Sequence, residues 1–262
     1  MLEIKNAVFG YRKKHGNKVI IDNIRFGLQR GELLCILGAN GAGKTTMYRT
    51  VLGFIELLGG QVIIDGQDIS ELSRVQLARK IAYVPQYHTP PFPYSVSDVV
   101  LMGRNAHLPQ FASPGKEDLK IAEQMMERMG ITCLKGEVYT EVSGGERQMV
   151  LIARALAQQS DYILMDEPTA NLDFGNQVRV LRILRDLAKE GIGICFTSHN
   201  PSHALNVGSS VLAIKDSTHV YKGSAEQVIT AEVLKDMYDV DAKIVCADDG
   251  TEDGILDVIV SI

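Results

Sequence analysis

One nine-residue run constrains this chain more than anything else in it: Gly38-Ala-Asn-Gly-Ala-Gly-Lys-Thr-Thr46. An apolar segment, Leu33-Leu-Cys-Ile-Leu37, precedes it, and a segment able to form a helix, Met47 to Leu52, follows. Buried strand, glycine-rich turn and helix in that order are the context of a phosphate-binding loop, and the spacing fits G-x-x-x-x-G-K-[ST]. Gly38, Gly41 and Gly43 permit positive φ angles and close approach of the backbone to a ligand. The loop N–H groups then converge at the positive end of a helix dipole, where polyanions bind. From that loop Lys44 reaches β- and γ-phosphates, and the Thr45 hydroxyl is placed to ligate Mg²⁺. The run implies binding of a nucleoside triphosphate.

The rest of the composition narrows the surroundings. A chain of 262 residues holds one large α/β domain, or one domain with a subdomain. Net charge is −5 without a long basic run, so nucleic acid is not an expected partner. No stretch approaches the roughly 18 uninterrupted apolar residues of a membrane span. The opening Met1-Leu-Glu-Ile-Lys5 lacks the pattern of an export signal. Cys35, Cys133, Cys195 and Cys246 are far apart and form neither a CxxC pair nor a disulfide framework, which fits a reducing cytoplasm.

Along the chain, Leu2–Tyr11 and Val19–Leu28 read as a hairpin around a turn at Lys13–Lys18. Gly59-Gly60 reads as a break before a short strand, 61–64, and a turn at Asp65-Gly66. A short helix over 72–78 and a strand over 81–84 follow. Thr89-Pro-Pro-Phe-Pro93 excludes regular structure. Helical patterns come next: 97–103, with Ser97 as its cap, and 116–129, stopped by Gly130. These predict a mostly helical subdomain, residues 87–155, inserted in an α/β core of 1–86 and 156–240. Strands return at 162–165, 192–197, 211–214 and 219–221, with a helix over 175–188 and short helices over 225–229 and 231–237. Residues 241–262 read as a closing hairpin around Asp248–Gly254.

Two further constellations carry chemistry. Tyr162-Ile-Leu-Met-Asp-Glu167 is an apolar strand ending in two acids, at the edge where α/β sheets bind ligands. Asp166 is positioned to hold Mg²⁺, and Glu167 to take a proton from attacking water. In Val142-Ser-Gly-Gly-Glu-Arg-Gln148 a serine and two glycines open a helix, a second anion-binding geometry. A separate subdomain would carry that element away from its own chain's nucleotide and leave it free to cap another chain's.

Phosphate loop, Gln86, Ser143-Gly-Gly-Glu146, the strand ending in Asp166-Glu167, Leu172-Asp173 and His199 together resemble the ordered motif set of ATP-binding cassette (ABC) ATPases, from Tyr11 to His199. The resemblance implies a P-loop NTPase (RecA-like) core with an N-terminal antiparallel β subdomain and an inserted α-helical subdomain. It also implies that Tyr11 stacks on adenine and that Asn40 and Thr46 join Gly38, Gly41, Gly43, Lys44 and Thr45 in holding ATP. Gln86 would contact Mg²⁺, with Thr45 and Asp166, and the attacking water. Ser143, Gly144, Gly145 and Glu146 would form the signature that caps the partner's γ-phosphate. Asp173 would cross a head-to-tail homodimer interface, and His199 would contact the γ-phosphate. Val142 and Glu146 depart mildly from the family pattern, which has leucine and glutamine there.

Pro93–Arg104 and Gly223–Thr230 resemble ATPase subunits of importers for iron–siderophores, haem and cobalamin, with molybdate and tungstate importers as relatives. That implies a transmembrane permease docking on Val96–Arg104 in the cleft behind Gln86, a periplasmic or lipoprotein substrate-binding protein acting indirectly, and a place on the cytoplasmic face of the cell membrane. An exporter ATPase subunit and a non-transport ABC ATPase of DNA repair or translation stay open. The stretch between phosphate loop and signature is too short for the long coiled coil of the repair members. A small-molecule P-loop kinase would leave Ser143-Gly-Gly145 and His199 without a role.

Overall fold

The computed structural model describes residues 1–14, 16–88, 90, 92–109, 112–247 and 255–260. Thr89 and Pro91 of the proline-dense stretch, and the acidic loop 248–254, lie outside the described residues.

The chain opens with β1 (Leu2–Lys13) and β2 (Gly16–Leu28), an antiparallel pair longer than the alternation predicts, which leaves a tighter turn than Lys13–Lys18. Next come β3 (Leu33–Gly38) and α1 (Lys44–Val51). Strand β4 (Gly59–Ile64) pairs with β1, and the two-residue β5 (Gln67–Asp68) ends this four-stranded sheet, in the order β2-β1-β4-β5. Gly59-Gly60 is therefore not a break but part of β4. Gly60 has φ 75° at an irregularity in the pairing, and a Cβ there would sit 2.2 Å from the Asn6 carbonyl oxygen. A glycine in a strand interior marks this kind of close approach as well as an interruption.

Helix α2 (Arg74–Lys80) starts later than predicted because Ser73 and Gln76 form a reciprocal capping box. It leads into β6 (Ile81–Val84). Among the described residues, three α-helices lie between β6 and the next strand: α3 (Val96–Leu101), α4 (Lys116–Arg128) and α5 (Gly144–Ala157). Ser95, not Ser97, caps α3. Its hydroxyl accepts the Asp98 N–H, and the Asp98 carboxylate accepts the Ser95 N–H. After Leu101 the chain tightens into a 3₁₀ turn, Met102–His107, in place of the predicted helical end. Gly103 is needed there, since a Cβ would lie 2.2 Å from the Arg154 carbonyl oxygen of α5.

The remaining chain supplies β7 (Tyr162–Met165), α6 (Phe174–Lys189), β8 (Gly193–Ser198), α7 (Pro201–Val207), β9 (Ser210–Ile214) and β10 (Val220–Ser224). Short helices α8 (Ala225–Val228) and α9 (Ala231–Tyr238) precede a hairpin of β11 (Ala242–Ala247) and β12 (Ile255–Val260). Helix α7 is not foreseen by the sequence reading. Asn200 caps it and Pro201 fills its first position, an ordinary helix start.

The central sheet runs β10-β9-β3-β8-β7-β6, parallel except for β10. Alternation along β3 divides its buried side chains between two layers. Leu34 and Ile36 join the core under the antiparallel sheet and α1, whereas Leu33, Cys35 and Leu37 join the core under α3–α6. All six β3 residues are buried, which explains why the segment reads as continuously apolar. The parallel register brings the C-terminal ends of β3, β7 and β8 side by side, with Ile36 opposite Thr197 and Met165 opposite Phe196.

Candidate functional site

The three strand ends deliver their next residues to one ledge. From β3 the chain turns through Gly41 (φ 86°) and Gly43 (φ 98°) into α1. Gly43 occupies the N-cap position without a side-chain cap, so the first N–H groups of α1 are open to an anion. A Cβ on Gly43 would fall 2.4 Å from the Ile20 methyl, so glycine is required by space as well as by φ. The cavity at the loop, about 230 Å³, is lined by residues 39–46 with Ile20, Gln86, Asp166 and Glu167.

Lys44 is buried and folds back across the loop. Its Nζ donates to the Gly38 carbonyl at 2.6 Å and the Ala39 carbonyl at 3.2 Å, and lies 3.8 Å from Glu167 Oε1. Burial pulls its pKa below the usual lysine value, while Glu167 and Asp166 oppose that shift. Thr45 Oγ1 donates to Asp166 Oδ2 at 2.8 Å. Gln86 Nε2 donates to Glu167 Oε2 at 2.9 Å, and His199 Nδ1 lies 3.6 Å from the same oxygen. The Tyr11 hydroxyl is 3.0 Å from Thr46 Oγ1, and Tyr11 is partly exposed beside the loop. Asn40 is exposed in the loop. Thus Tyr11, the phosphate loop, Gln86, Asp166, Glu167 and His199 come together.

Thr197 is a residue the sequence reading missed. It is fully buried at the end of β8, donates its hydroxyl to Asp166 Oδ1 at 2.9 Å, and accepts the Glu167 N–H at 2.7 Å. The available signal was a hydroxyl residue inside an otherwise apolar strand. Glu167 itself has φ 47°, a left-handed conformation uncommon for a non-glycine residue and characteristic of functional positions. Nearby, His203 is buried with Nδ1 at 3.0 Å from Ser198 Oγ. Burial, with the His199 charge, pushes its pKa down to about 4.

The signature segment is elsewhere. Ser143 caps α5, and none of Ser143, Gly144 or Gly145 lines the cavity at the phosphate loop. Ser143 and Gly144 are exposed, whereas Gly145 is pressed against Asn176, with space for no Cβ: one would lie 2.6 Å from Nδ2. Asn176 in turn is held by Asp173, which caps α6 through Asn176 N at 2.9 Å and Nδ2 at 2.7 Å. The signature and Asp173 therefore share one surface. Among the described residues, the Glu146 carboxylate is hydrogen-bonded to Ser143 alone.

The predicted docking segment is only partly open: Asp98 is exposed and Met102 half-buried, but several of its side chains are committed inside the protein. Arg104 is 6% exposed. Its guanidinium is consumed by Asp118 at 2.9 Å, the Ala157 carbonyl at 2.8 Å and Gln159 Oε1 at 2.8 Å. Val96, Val99 and Val100 are core, and Asp98 serves as a helix cap. Behind Gln86 and beside Met102 and Gly103 lies an open groove of two adjoining cavities, about 530 and 270 Å³, which share Phe54 and Tyr83. Tyr87, Met102, Arg49 and Arg154 also line it.

A phosphate loop facing two strand-end acids, with a glycine-rich helix start held apart from it, defines an ATP-hydrolysing cassette. Residues 21–170 match the family described as ABC transporter. Among curated relatives, an uncharacterised ABC transporter ATP-binding protein of Haemophilus influenzae is 40% identical over 91% of this chain and 89% of its own. The molybdate import ATP-binding protein of the same organism is 33% identical over 90% and 87%. The iron(3+)-hydroxamate import ATP-binding protein of Bacillus subtilis is 32% identical over 88% and 86%. A solved structure described as the inward-facing conformation of a metal-chelate type ABC transporter superposes with TM-score 0.85 at 30% identity, covering 100% of this chain and 97% of that one. A dimeric ATP-binding cassette in a post-hydrolysis state with ADP and Pi superposes with TM-score 0.72 at 26% identity, covering 85% and 98%. The chain belongs to the ABC transporter ATP-binding proteins, ATPases coupled to transport.

Proposed function

We propose that the chain is the ATP-hydrolysing subunit of an importer for a metal chelate or a metal oxyanion. Two copies would pair head to tail on the cytoplasmic face of the membrane, beneath a permease that receives cargo from a substrate-binding protein. The observation that carries the two-copy reading is the separation of Ser143-Gly-Gly145 from the phosphate loop within one chain. Each ATP would lie between one copy's Lys44 loop and the other's Ser143, with Asp173 at the seam.

The chemistry follows from the ledge. Lys44 exchanges its two carbonyl contacts for phosphate oxygens, and the open N–H groups of α1 add to that hold. Tyr11 packs on the base. Glu167 takes the proton of the attacking water, while Gln86 and His199, both beside its Oε2, orient that water and the terminal phosphate. Thr45, Asp166 and Gln86 offer oxygen donors, the chemistry Mg²⁺ prefers. No cluster of three His, Cys, Asp or Glu residues able to hold a metal exists among the described residues. This fits an ion that is bound jointly with the phosphates rather than in a protein cage. Mg²⁺ would neutralise charge on the β- and γ-oxygens.

For the permease we assign the groove around Phe54, Tyr83, Tyr87 and Met102, which the Val96–Arg104 segment reaches only at Met102 and Gly103. No helix among the described residues is long and apolar enough to cross a membrane, so the membrane passage would belong to the partner. The import direction is supported by the relatives named above, and no residue on the ledge selects a cargo. Co-purification with the products of neighbouring genes, followed by uptake assays in vesicles on iron chelates, cobalamin and molybdate, tests the reading. Cargo accumulation that requires ATP inside the vesicle is expected. Efflux, or ATPase activity indifferent to every membrane partner, would overturn it.

A further inference from the structure

The Ser143 hydroxyl is already in use. It has one proton, and donates it to Glu146 Oε2 at 2.6 Å. The Ser143 N–H donates to the same oxygen at 2.8 Å, and the Glu146 N–H returns to Ser143 Oγ at 3.3 Å. This is a complete capping box, favourable for the start of α5. Both of the carboxylate's hydrogen bonds come from Ser143, and among the described residues no lysine, arginine or histidine is paired with it. The hydroxyl and N–H of Ser143 hold the Glu146 carboxyl below the usual range, so it stays anionic at neutral pH.

A terminal phosphate oxygen is also only an acceptor. For Ser143 to donate to it, the hydroxyl proton has to leave Glu146, and the carboxylate is then left beside a polyanion. We propose that Glu146 is an electrostatic brake on assembly of the nucleotide-bridged dimer. Its carboxylate competes for the Ser143 proton and repels the incoming phosphate. This rests on the two-copy reading above. Glutamine keeps an oxygen acceptor for the capping box and removes the charge, so Glu146→Gln isolates the electrostatic part.

The brake sets a sign opposite to that of an ordinary signature contact: removing the charge strengthens assembly. Like charges at short range in a partly dried interface cost enough to change an equilibrium about tenfold, and added salt screens them.

The test compares Glu167→Gln with the double variant Glu146→Gln/Glu167→Gln in the full chain by sedimentation with Mg·ATP. The double variant should dimerise about tenfold more tightly at about 0.1 M salt, and the gap should shrink several-fold at about 0.5 M. Unchanged melting temperatures would show that the capping box survives. If Glu167→Gln dimerises and the added Glu146→Gln leaves or weakens that equilibrium, the brake is refuted while the two-copy reading stands. If neither variant dimerises at any concentration, the two-copy reading falls and the brake with it.

Discussion

At the C-terminal edge of the parallel sheet, the side chains that face a nucleotide already hold one another, whereas at the start of α5 they face outward. Lys44, Thr45, Gln86, Asp166, Glu167 and Thr197 form one continuous set of contacts, most of them buried or half-buried. Ser143 and Gly144 are exposed, and among the described residues the side-chain hydrogen bonds of Ser143 are those of the local capping box. The first region is already assembled, so filling it asks only for local exchanges of partner, such as Lys44 leaving the Gly38 and Ala39 carbonyls. The second is rigid in backbone but incomplete in partners. On the two-copy reading proposed above, the difference would separate binding from turnover: one edge would hold ATP, and the other would matter when a second copy arrives.

The sharpest way to break that comparison is Lys44→Ala, which should abolish ATP binding by calorimetry. Undiminished affinity would remove the phosphate-loop assignment. Glu167→Gln should lower the hydrolysis rate by about 10²–10⁴-fold with ATP still bound, since it removes a general base. A rate within a few-fold of the parent would place the base elsewhere. Ser143→Ala should reduce hydrolysis at least tenfold while the isolated chain's ATP affinity stays within twofold; a parallel loss of affinity would merge the two regions into one.

Thr197→Val tests the buried edge by stability. It strands Asp166 Oδ1 and the Glu167 N–H, and should cost about 1–3 kcal/mol in denaturant unfolding. A neutral outcome would mean that the ledge holds itself without β8. Acid tests the same edge without a substitution. The His203 pKa is depressed to about 4 in the folded chain, against about 6.5 when unfolded, so the unfolded state binds more protons between these values. Stability should fall by about 3 kcal/mol as pH drops from about 6.5 to 4 on this account. His203→Gln should flatten that part of the profile, and an unaltered slope would assign it to other groups.

Much of the nucleotide edge was legible in the sequence because its signals are local. Glycine spacing, an apolar run and the acids that end it each sit within a few residues, and strand order then gathers them. Features fixed by distant contacts were not legible. Ser95 and Ser97 are both plausible caps for α3. The choice falls to Ser95 because that residue bridges Val138 and the next N–H bonds the Glu137 carbonyl. Arg104 resembles a surface cation until Asp118 and the end of α5 are placed around it. Thr197 looks like an ordinary strand residue until its neighbour β7 is known to end in Asp166-Glu167. Helix α7 was missed although Asn200-Pro201 announces it, because its apolar pattern is too short to show a period.

The Gly103 contact has a mechanical consequence. With no side chain between them, the turn after α3 touches the backbone of α5, and Arg104 bolts the same turn to the Ala157 carbonyl. Met102 stands at the groove and Ser143 at the far tip of α5, so one stiff crank joins the two. The wall of the groove and that tip are therefore two ends of one lever, fastened at the Gly103 and Arg104 contacts.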